Sequence, residues 1–346
     1  MKIALLHRSV LPAKGYGGIE RVIMNLASEL KRLGHQVTIV AFAGSLIRDF
    51  EFVPIPLESK ESLTHFVPKG MDFVHFQEPI PIEPSYPYLV SIYGNGQPGE
   101  RFLPNSNFTS RRHAHNHGSQ IFVHHGLDLK AYPFESSKED YYVFMGMGYL
   151  KTKNLKACVE WAHDTKSRVK VIGGFGFSDR YVQYLGFLGE SEGKLEILSR
   201  ARGFLFPVNW EEPFALAPLE ALATGTPVIA SRNGGNLEAI SADTGVCVST
   251  YSEFCAAKER LTKIKPAACR QRIENEFSLN KMTRGYLSLY EKILSEGSLK
   301  QRPATQFHPE ELIPIHKASS PVSQRFFYFK RKLCAQMKIY TKNAAT

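Results

Sequence analysis

The chain has 346 residues, 43% of them hydrophobic and 22% charged, the composition of a soluble globular protein long enough for two domains. Lys and Arg outnumber Asp and Glu by 43 to 33, yet residues 298–346 alone hold nine of those cations against Glu310 and Glu311. The preceding body is close to neutral, which argues against a uniform basic coat for nucleic acid. The apolar stretch around Ile3–Leu6 is too short for a signal peptide, and no run approaches the ~18 apolar residues of a membrane span. Five cysteines form no CxxC pair, so a reduced, cytoplasmic protein is expected.

Elements follow in chain order. Lys2–His7 and Gln36–Phe42 read as buried strands. Between them Ile19, Val22, Ile23, Leu26, Leu30 and Leu33 line one face of a helix that Gly34 stops. Further strands are predicted at Phe52–Pro56, Asp72–Gln77, Tyr88–Tyr93 and Ile121–His125. A polar stretch at Glu135–Asp140 opens a second series: Tyr142–Gly146, Val169–Gly173, Tyr181–Phe187, Gly203–Pro207, Pro227–Ser231 and Val246–Ser249. Two successive doubly wound α/β units predict two Rossmann-like domains facing a cleft, residues 1–138 and 139–297. The helical pattern of Leu279–Leu294 is expected to close the second. Residues 298–346 read as a Pro-containing basic tail.

Two places are suited to an anion. Gly15-Tyr16-Gly17-Gly18 follows the first strand and opens the first helix, where free amides and the helix dipole favour negative charge. The segment 209–227, NWEEPFALAPLEALATGTP, runs from a strand through a loop into a helix that ends at Gly225. Its Glu212 lies on the loop and Glu220 on the helix. The amides of Phe214, Ala215 and Leu216 stand at the helix N-terminus, and Pro218 falls in the first turn.

Glu212 and Glu220, eight apart within EPFALAPLEALATGTPVIA, resemble the nucleotide-sugar signature of retaining GT-B glycosyltransferases of family 4, the group 1 type. The resemblance extends over most of residues 1–297 through Gly17-Gly18, Ser106-Asn107-Phe108, Gly126-Leu127-Asp128, Lys153-Asn154 and Gly234-Gly235-Asn236-Leu237-Glu238. It implies a GT-B fold with the acceptor on the first domain and a UDP- or GDP-sugar donor on the second. By the same resemblance Glu212 would bind donor-sugar hydroxyls, Glu220 the ribose, and Phe214, Ala215 and Leu216 with Gly17 and Gly18 the diphosphate. Lys153 would neutralise the leaving diphosphate, Leu188 would line the base pocket, and Lys194 is a further phosphate candidate. Tyr93 and Asn95 fall on the acceptor side. Such enzymes need no metal or other cofactor, and the chain has no DxD motif at a donor position.

Three departures stand out. Met147 occupies the position where the family commonly has an arginine, which removes a cation unless Lys151 substitutes. Ala215 replaces a glycine but keeps the amide, and Tyr93 replaces a histidine. The leading expectation is a glycosyltransferase of cell-surface polysaccharide, lipopolysaccharide or glycolipid assembly at the cytoplasmic membrane face. A GT-B-fold sugar-nucleotide epimerase and a catalytically weakened sugar-nucleotide-binding scaffold, favoured by Met147, are the alternatives.

Other signals are less specific. His113 and His117 are i,i+4 on a predicted helix, a spacing zinc uses, but no third ligand is evident, and a surface or acceptor-side helix is the simpler expectation. Trp210 and Phe214 suit either a sugar face or packing behind Glu212. In the tail, Phe326, Phe329, Leu333, Met337 and Tyr340 share a helical stripe among cations. That pattern fits an anionic membrane surface, docking on the protein itself or on a second copy, and, less well, nucleic acid.

Overall fold

The computed structural model describes residues 1–13, 15, 17–189, 193–306 and 315–316. The stripe at 323–340 lies outside them. The first domain contains β1 (Lys2–Leu6), α1 (Gly18–Arg32), β2 (Gln36–Phe42), β3 (Glu51–Ile55), β4 (Phe73–Phe76), β5 (Tyr88–Ser91), β6 (Ser106–Asn107) and α2 (Arg111–Asn116). The second contains β7 (Glu139–Met145), α3 (Leu155–Asp164), β8 (Val169–Ile172), β9 (Val182–Tyr184), α4 (Lys194–Arg200) and β10 (Ala201–Phe206). It continues with α5 (Leu216–Ala223), β11 (Val228–Ser231), α6 (Asn236–Ala239), β12 (Gly245–Val248), α7 (Tyr251–Leu261) and α8 (Pro266–Glu276), before α9 (Leu279–Glu296).

Both sheets are parallel and share one topology: β3-β2-β1-β4-β5-β6 and β12-β11-β10-β7-β8-β9. Each domain is thus a doubly wound α/β unit with a switch point beside its first strand, β1/β4 in one and β7/β10 in the other. The strands read as unbroken apolar runs because helices cover both faces, and Ile3, Ala4, Leu5 and Leu6 are all fully buried. On α1 the 3–4 spacing turns Val22, Ile23, Leu26 and Leu30 into the first core.

Four expectations change. The helix at 279–296 does not close the second domain: its Met282, Tyr286, Tyr290 and Ile293 join the core of β1 and α1. Phe73 stacks on Tyr290 at 4.3 Å, and the Tyr290 hydroxyl hydrogen-bonds His75 Nδ1 at 2.7 Å. An apolar stripe specifies that a helix must be covered, not which sheet covers it. Ile121–His125 is no strand of its own. It lies along Phe108, with Val123 N donating to Phe108 O at 2.9 Å, because β6 is only two residues long. The strand expected at Tyr181–Phe187 shortens to Val182–Tyr184, and Gly186 turns the chain with φ +72°. The start of the presumed tail is also built in. Leu299 is buried in the first core, and Ala304 pairs with Arg101. No helix of the described residues is long and apolar enough to cross a membrane.

Candidate active site

The cleft lies between the carboxyl ends of the two sheets. From the first domain, the turn after β1 delivers Gly17 and Gly18 to the N-terminus of α1. A Cβ on Gly17 would stand 2.3 Å from Ala13 Cβ, so only glycine fits. A Cβ on Gly18 would lie 3.7 Å from Leu216 Cδ1, which puts this turn directly opposite the N-terminus of α5. The Gly18 turn and the Leu216 side chain therefore meet across the cleft, at the N-termini of α1 and α5.

The loops after β7 and β10 bring Lys153 to Glu212. The ammonium lies 2.9 Å from Glu212 Oε2, and the Trp210 indole N–H donates to the same oxygen at 2.7 Å. Glu212 is buried, and Lys153 also stands over the Trp210 ring at 5.1 Å. Trp210 thus orients Glu212, while Phe214 is buried against His124 (centroids 4.5 Å apart) and Phe277. Gly234 makes this loop possible. With φ +58°, a Cβ there would overlap Glu212 O at 2.1 Å, and the next amide, Gly235 N, donates to that oxygen at 2.8 Å.

The second glutamate is deeper. Glu220 Oε1 is bonded by Arg21 Nη1 from α1 and by the Tyr132 hydroxyl at 3.3 Å, with Lys194 Nζ at 4.0 Å. Arg21 and Tyr132 line a cavity of about 500 Å³ with Glu20, Asp128 and Gly189. Leu188 packs on the second core next to Gly189. Met147 is half-buried beneath the Tyr149 hydroxyl at 3.0 Å, and Lys151 is exposed.

Tyr93 and Asn95 have different surroundings. Tyr93 donates to Gln77 Oε1 at 2.5 Å and stacks on His125 at 5.7 Å. Asn95 Nδ2 donates to the backbone oxygen of Glu211 at 2.7 Å, so it joins the domains beside Glu212. Around it lies a seam that sequence reasoning missed. Ser110 Oγ donates to Pro213 O at 2.6 Å, and Asn116 Nδ2 to the buried Glu211 carboxylate at 3.2 Å. Glu238 of α6 accepts the first amides of α2, Arg111 N at 2.9 Å and Arg112 N at 2.7 Å, and pairs with His124 at 2.7 Å. Burial pushes the Glu238 carboxyl up, but His124 and the two amides hold it below its ordinary value. The GGNLE motif pointed to Glu238 without a role. Nothing in the spacing pointed to Arg21 as the partner of Glu220.

His113 and His117 are internal, which corrects the surface part of the expected surface or acceptor-side helix. Thr109 N donates to His113 Nδ1 at 3.2 Å, so Nε2 carries the proton toward Gly94 O at 3.1 Å. His117 has the opposite tautomer: Nδ1 faces His113 O at 2.7 Å and Nε2 accepts from Gly96 N at 3.1 Å. Burial lowers the pKa of His113 to about 3. Both rings act as neutral braces for the 94–96 loop that carries Asn95. Among the described residues no group of three or more His, Cys, Asp or Glu could hold a metal ion.

Comparison with known proteins agrees with this fold. Residues 179–275 match the family model of glycosyl transferases group 1. A GDP-mannose-dependent α-(1-6)-phosphatidylinositol dimannoside mannosyltransferase of Mycobacterium tuberculosis is 34% identical over 91 residues, 26% of this chain and 24% of that protein. A probable sucrose-phosphate synthase of Thermosipho melanesiensis is 35% identical over 113 residues, 30% and 26% of the two chains. The chain spans about a quarter of the length of these curated relatives. Among solved structures, AviGT4, a glycosyltransferase involved in avilamycin A biosynthesis, superposes with TM-score 0.71 at 22% identity over 85% of this chain and 98% of its own. Sucrose-phosphate synthase from Thermosynechococcus elongatus gives 0.66 at 18% identity, over 85% and 99%. Anabaena HepE in complex with UDP-glucose gives 0.62 at 13% identity, over 83% and 99%. The chain has the two-domain GT-B fold, and residues 179–275 of its second domain are similar to glycosyl transferases group 1.

Proposed function

We propose that the chain is a metal-independent, retaining glycosyltransferase that moves a sugar from a UDP- or GDP-sugar to a hydroxyl acceptor. The observation that carries this reading is the gap where Gly18 faces Leu216, with Lys153 paired to Glu212 on the loop before α5 and Arg21 of α1 paired to Glu220 within α5. A diphosphate in that gap accepts from amides of α1 and α5. Lys153 reaches the oxygen on which charge grows as the anomeric C–O bond breaks. Glu212, oriented by Trp210, accepts from hydroxyls of the transferred sugar, and Glu220 accepts from ribose hydroxyls. The new bond forms from the acceptor oxygen to the anomeric carbon, and the acceptor proton leaves with the diphosphate.

The relative named for a GDP-mannose donor and the neighbour solved with UDP-glucose support a nucleotide-sugar donor of either base. The relative named for phosphatidylinositol dimannoside supports a glycolipid acceptor; a cell-surface saccharide and work at the cytoplasmic membrane face belong to the same proposal. Incubation with UDP- and GDP-sugars under thermal shift tests the donor. At least one should raise the melting temperature, and Glu212→Ala or Glu220→Ala should abolish the rise. If neither base stabilises the wild type, the donor reading fails. Met147 favours a second reading, a weakened binding subunit, which measurable turnover by the isolated chain would exclude. Conversion of a sugar nucleotide without acceptor would instead indicate an epimerase.

A further inference from the structure

The segment after α9 reaches both domains. Ala304 N donates to His117 O at 2.9 Å and Gln306 N to Asn116 O at 2.8 Å, both on the first domain. Ile315 lies on the second, buried in the core that contains Tyr142, Phe144 and Trp161. Its backbone does more than anchor it. Ile315 O accepts from Asn154 Nδ2 at 2.8 Å, and Ile315 N donates to Asn209 Oδ1 at 3.1 Å.

Asn154 and Asn209 sit at a particular place. Asn154 follows Lys153 in the left-handed conformation, φ 54°, and its amide also reaches Pro207 O at 2.8 Å and Asn209 Oδ1 at 3.1 Å. Asn209 N donates to Thr152 O at 2.8 Å, and Trp210 follows it with its indole on Glu212. The knot of Asn154, Asn209 and Ile315 therefore ties the loop that carries Lys153 to the loop that carries Glu212. Ile315 is the member contributed from outside both loops. Without it, Asn209 Oδ1 loses a donor and the buried Asn154 amide loses one of its three acceptors.

We propose that Ile315 is a positioning residue for the Lys153–Glu212 pair, so that the C-terminal extension helps build this site. Its consequence for diphosphate binding rests on the donor reading above. The side chain seats the segment, and the two backbone bonds transmit that seating to the loops. Removing 298–346 accordingly weakens the donor site, in contrast to the division into body and independent tail that net charge suggests.

The chain's two tryptophans supply the test. The Trp210 indole bonds Glu212, whereas the fully buried Trp161 indole bonds Phe254 O at 2.9 Å in the same domain. In ¹⁵N-labelled full-length protein, Ile315→Asp places a carboxylate where the core is apolar and undocks the segment. The Trp210 indole resonance should shift and broaden while that of Trp161, whose core Ile315 leaves, remains one sharp line even if it moves, and Ile315→Val should leave both unchanged. An unmoved Trp210 resonance overturns the proposal. So does loss of both resonances, which makes the segment a general stability element. Calorimetry adds a second arm. In Ile315→Asp the preference for UDP or GDP over UMP or GMP should fall about tenfold, with monophosphate affinity unchanged. Equal weakening of mono- and diphosphates counts against positioning of Lys153. If the wild type binds neither UDP nor GDP, the donor reading fails and the indole resonances alone decide this proposal.

Discussion

Arg21 of α1 donates from Nη1 to Glu220 Oε1 of α5, a hydrogen-bonded ion pair across the cleft whose acid is 1% exposed. It joins the domains at the carboxylate proposed to take the ribose. A buried acid is tolerable only while partners satisfy it.

Arg21→Ala is therefore expected to lower unfolding stability by about 1–3 kcal/mol, since Tyr132 and Lys194 still face Glu220. The double variant Arg21→Ala/Glu220→Gln should recover part of that loss by removing the uncompensated charge. Urea denaturation checks this. Strictly additive losses would show that the pair carries no coupling.

Lys153→Ala should cost about 10²–10³-fold in turnover, the scale for losing one preorganised charge at a leaving group. Lys153→Arg should restore only a fraction, because its planar fork does not reproduce a point charge beside Glu212. Steady-state rates with a saturating sugar nucleotide read this directly.

At Gly234, alanine must overlap Glu212 O at 2.1 Å and Glu212 N at 2.6 Å. Gly234→Ala should destabilise by about 1–3 kcal/mol and displace Glu212 as well, so turnover falls even where the variant remains folded. Gly44→Ala, whose added Cβ meets nothing within 4 Å, isolates the steric part, because both positions share a positive φ. A similar loss of turnover in both variants would refute the steric account.

Acid should unfold the protein early. Burial lowers His75, His113 and His125 to about 3, against about 6.5 when unfolded. Above pH 6.5 all three are neutral in both states and cost nothing. Below it the unfolded chain binds protons that the folded chain refuses. Stability should then fall by about 1.4 kcal/mol per pH unit for each histidine, from pH 6.5 down toward 3. His113→Gln, measured by urea unfolding between pH 7 and 4.5, should flatten that slope by one histidine's share. An unchanged slope would mean that His113 titrates freely in the folded state.

Most of the fold was legible because strands and helices leave local periods. Gln36–Phe42 matches its predicted bounds, and the stripe from Ile19 to Leu30 named the buried face of α1. Glu212, Glu220 and Lys153 were legible as chemistry within a motif, and the structure pairs Glu212 with Lys153. What stayed hidden depends on contacts between residues far apart in the chain. Arg21 and Glu220 are 199 positions apart, and Asn154 and Ile315 are 161 apart.

The opening charge balance is divided along the same line. The sequence by itself determined a near-neutral body of two α/β units with its cations placed locally, since composition and periodicity are properties of adjacent residues. Only the tertiary structure decided that α9 returns to the first domain, that the histidines brace a loop, and that the extension reaches the Lys153 loop. An apolar or polar side chain announces that it needs a partner. Which partner it finds is set by how the two sheets and their connections meet in space.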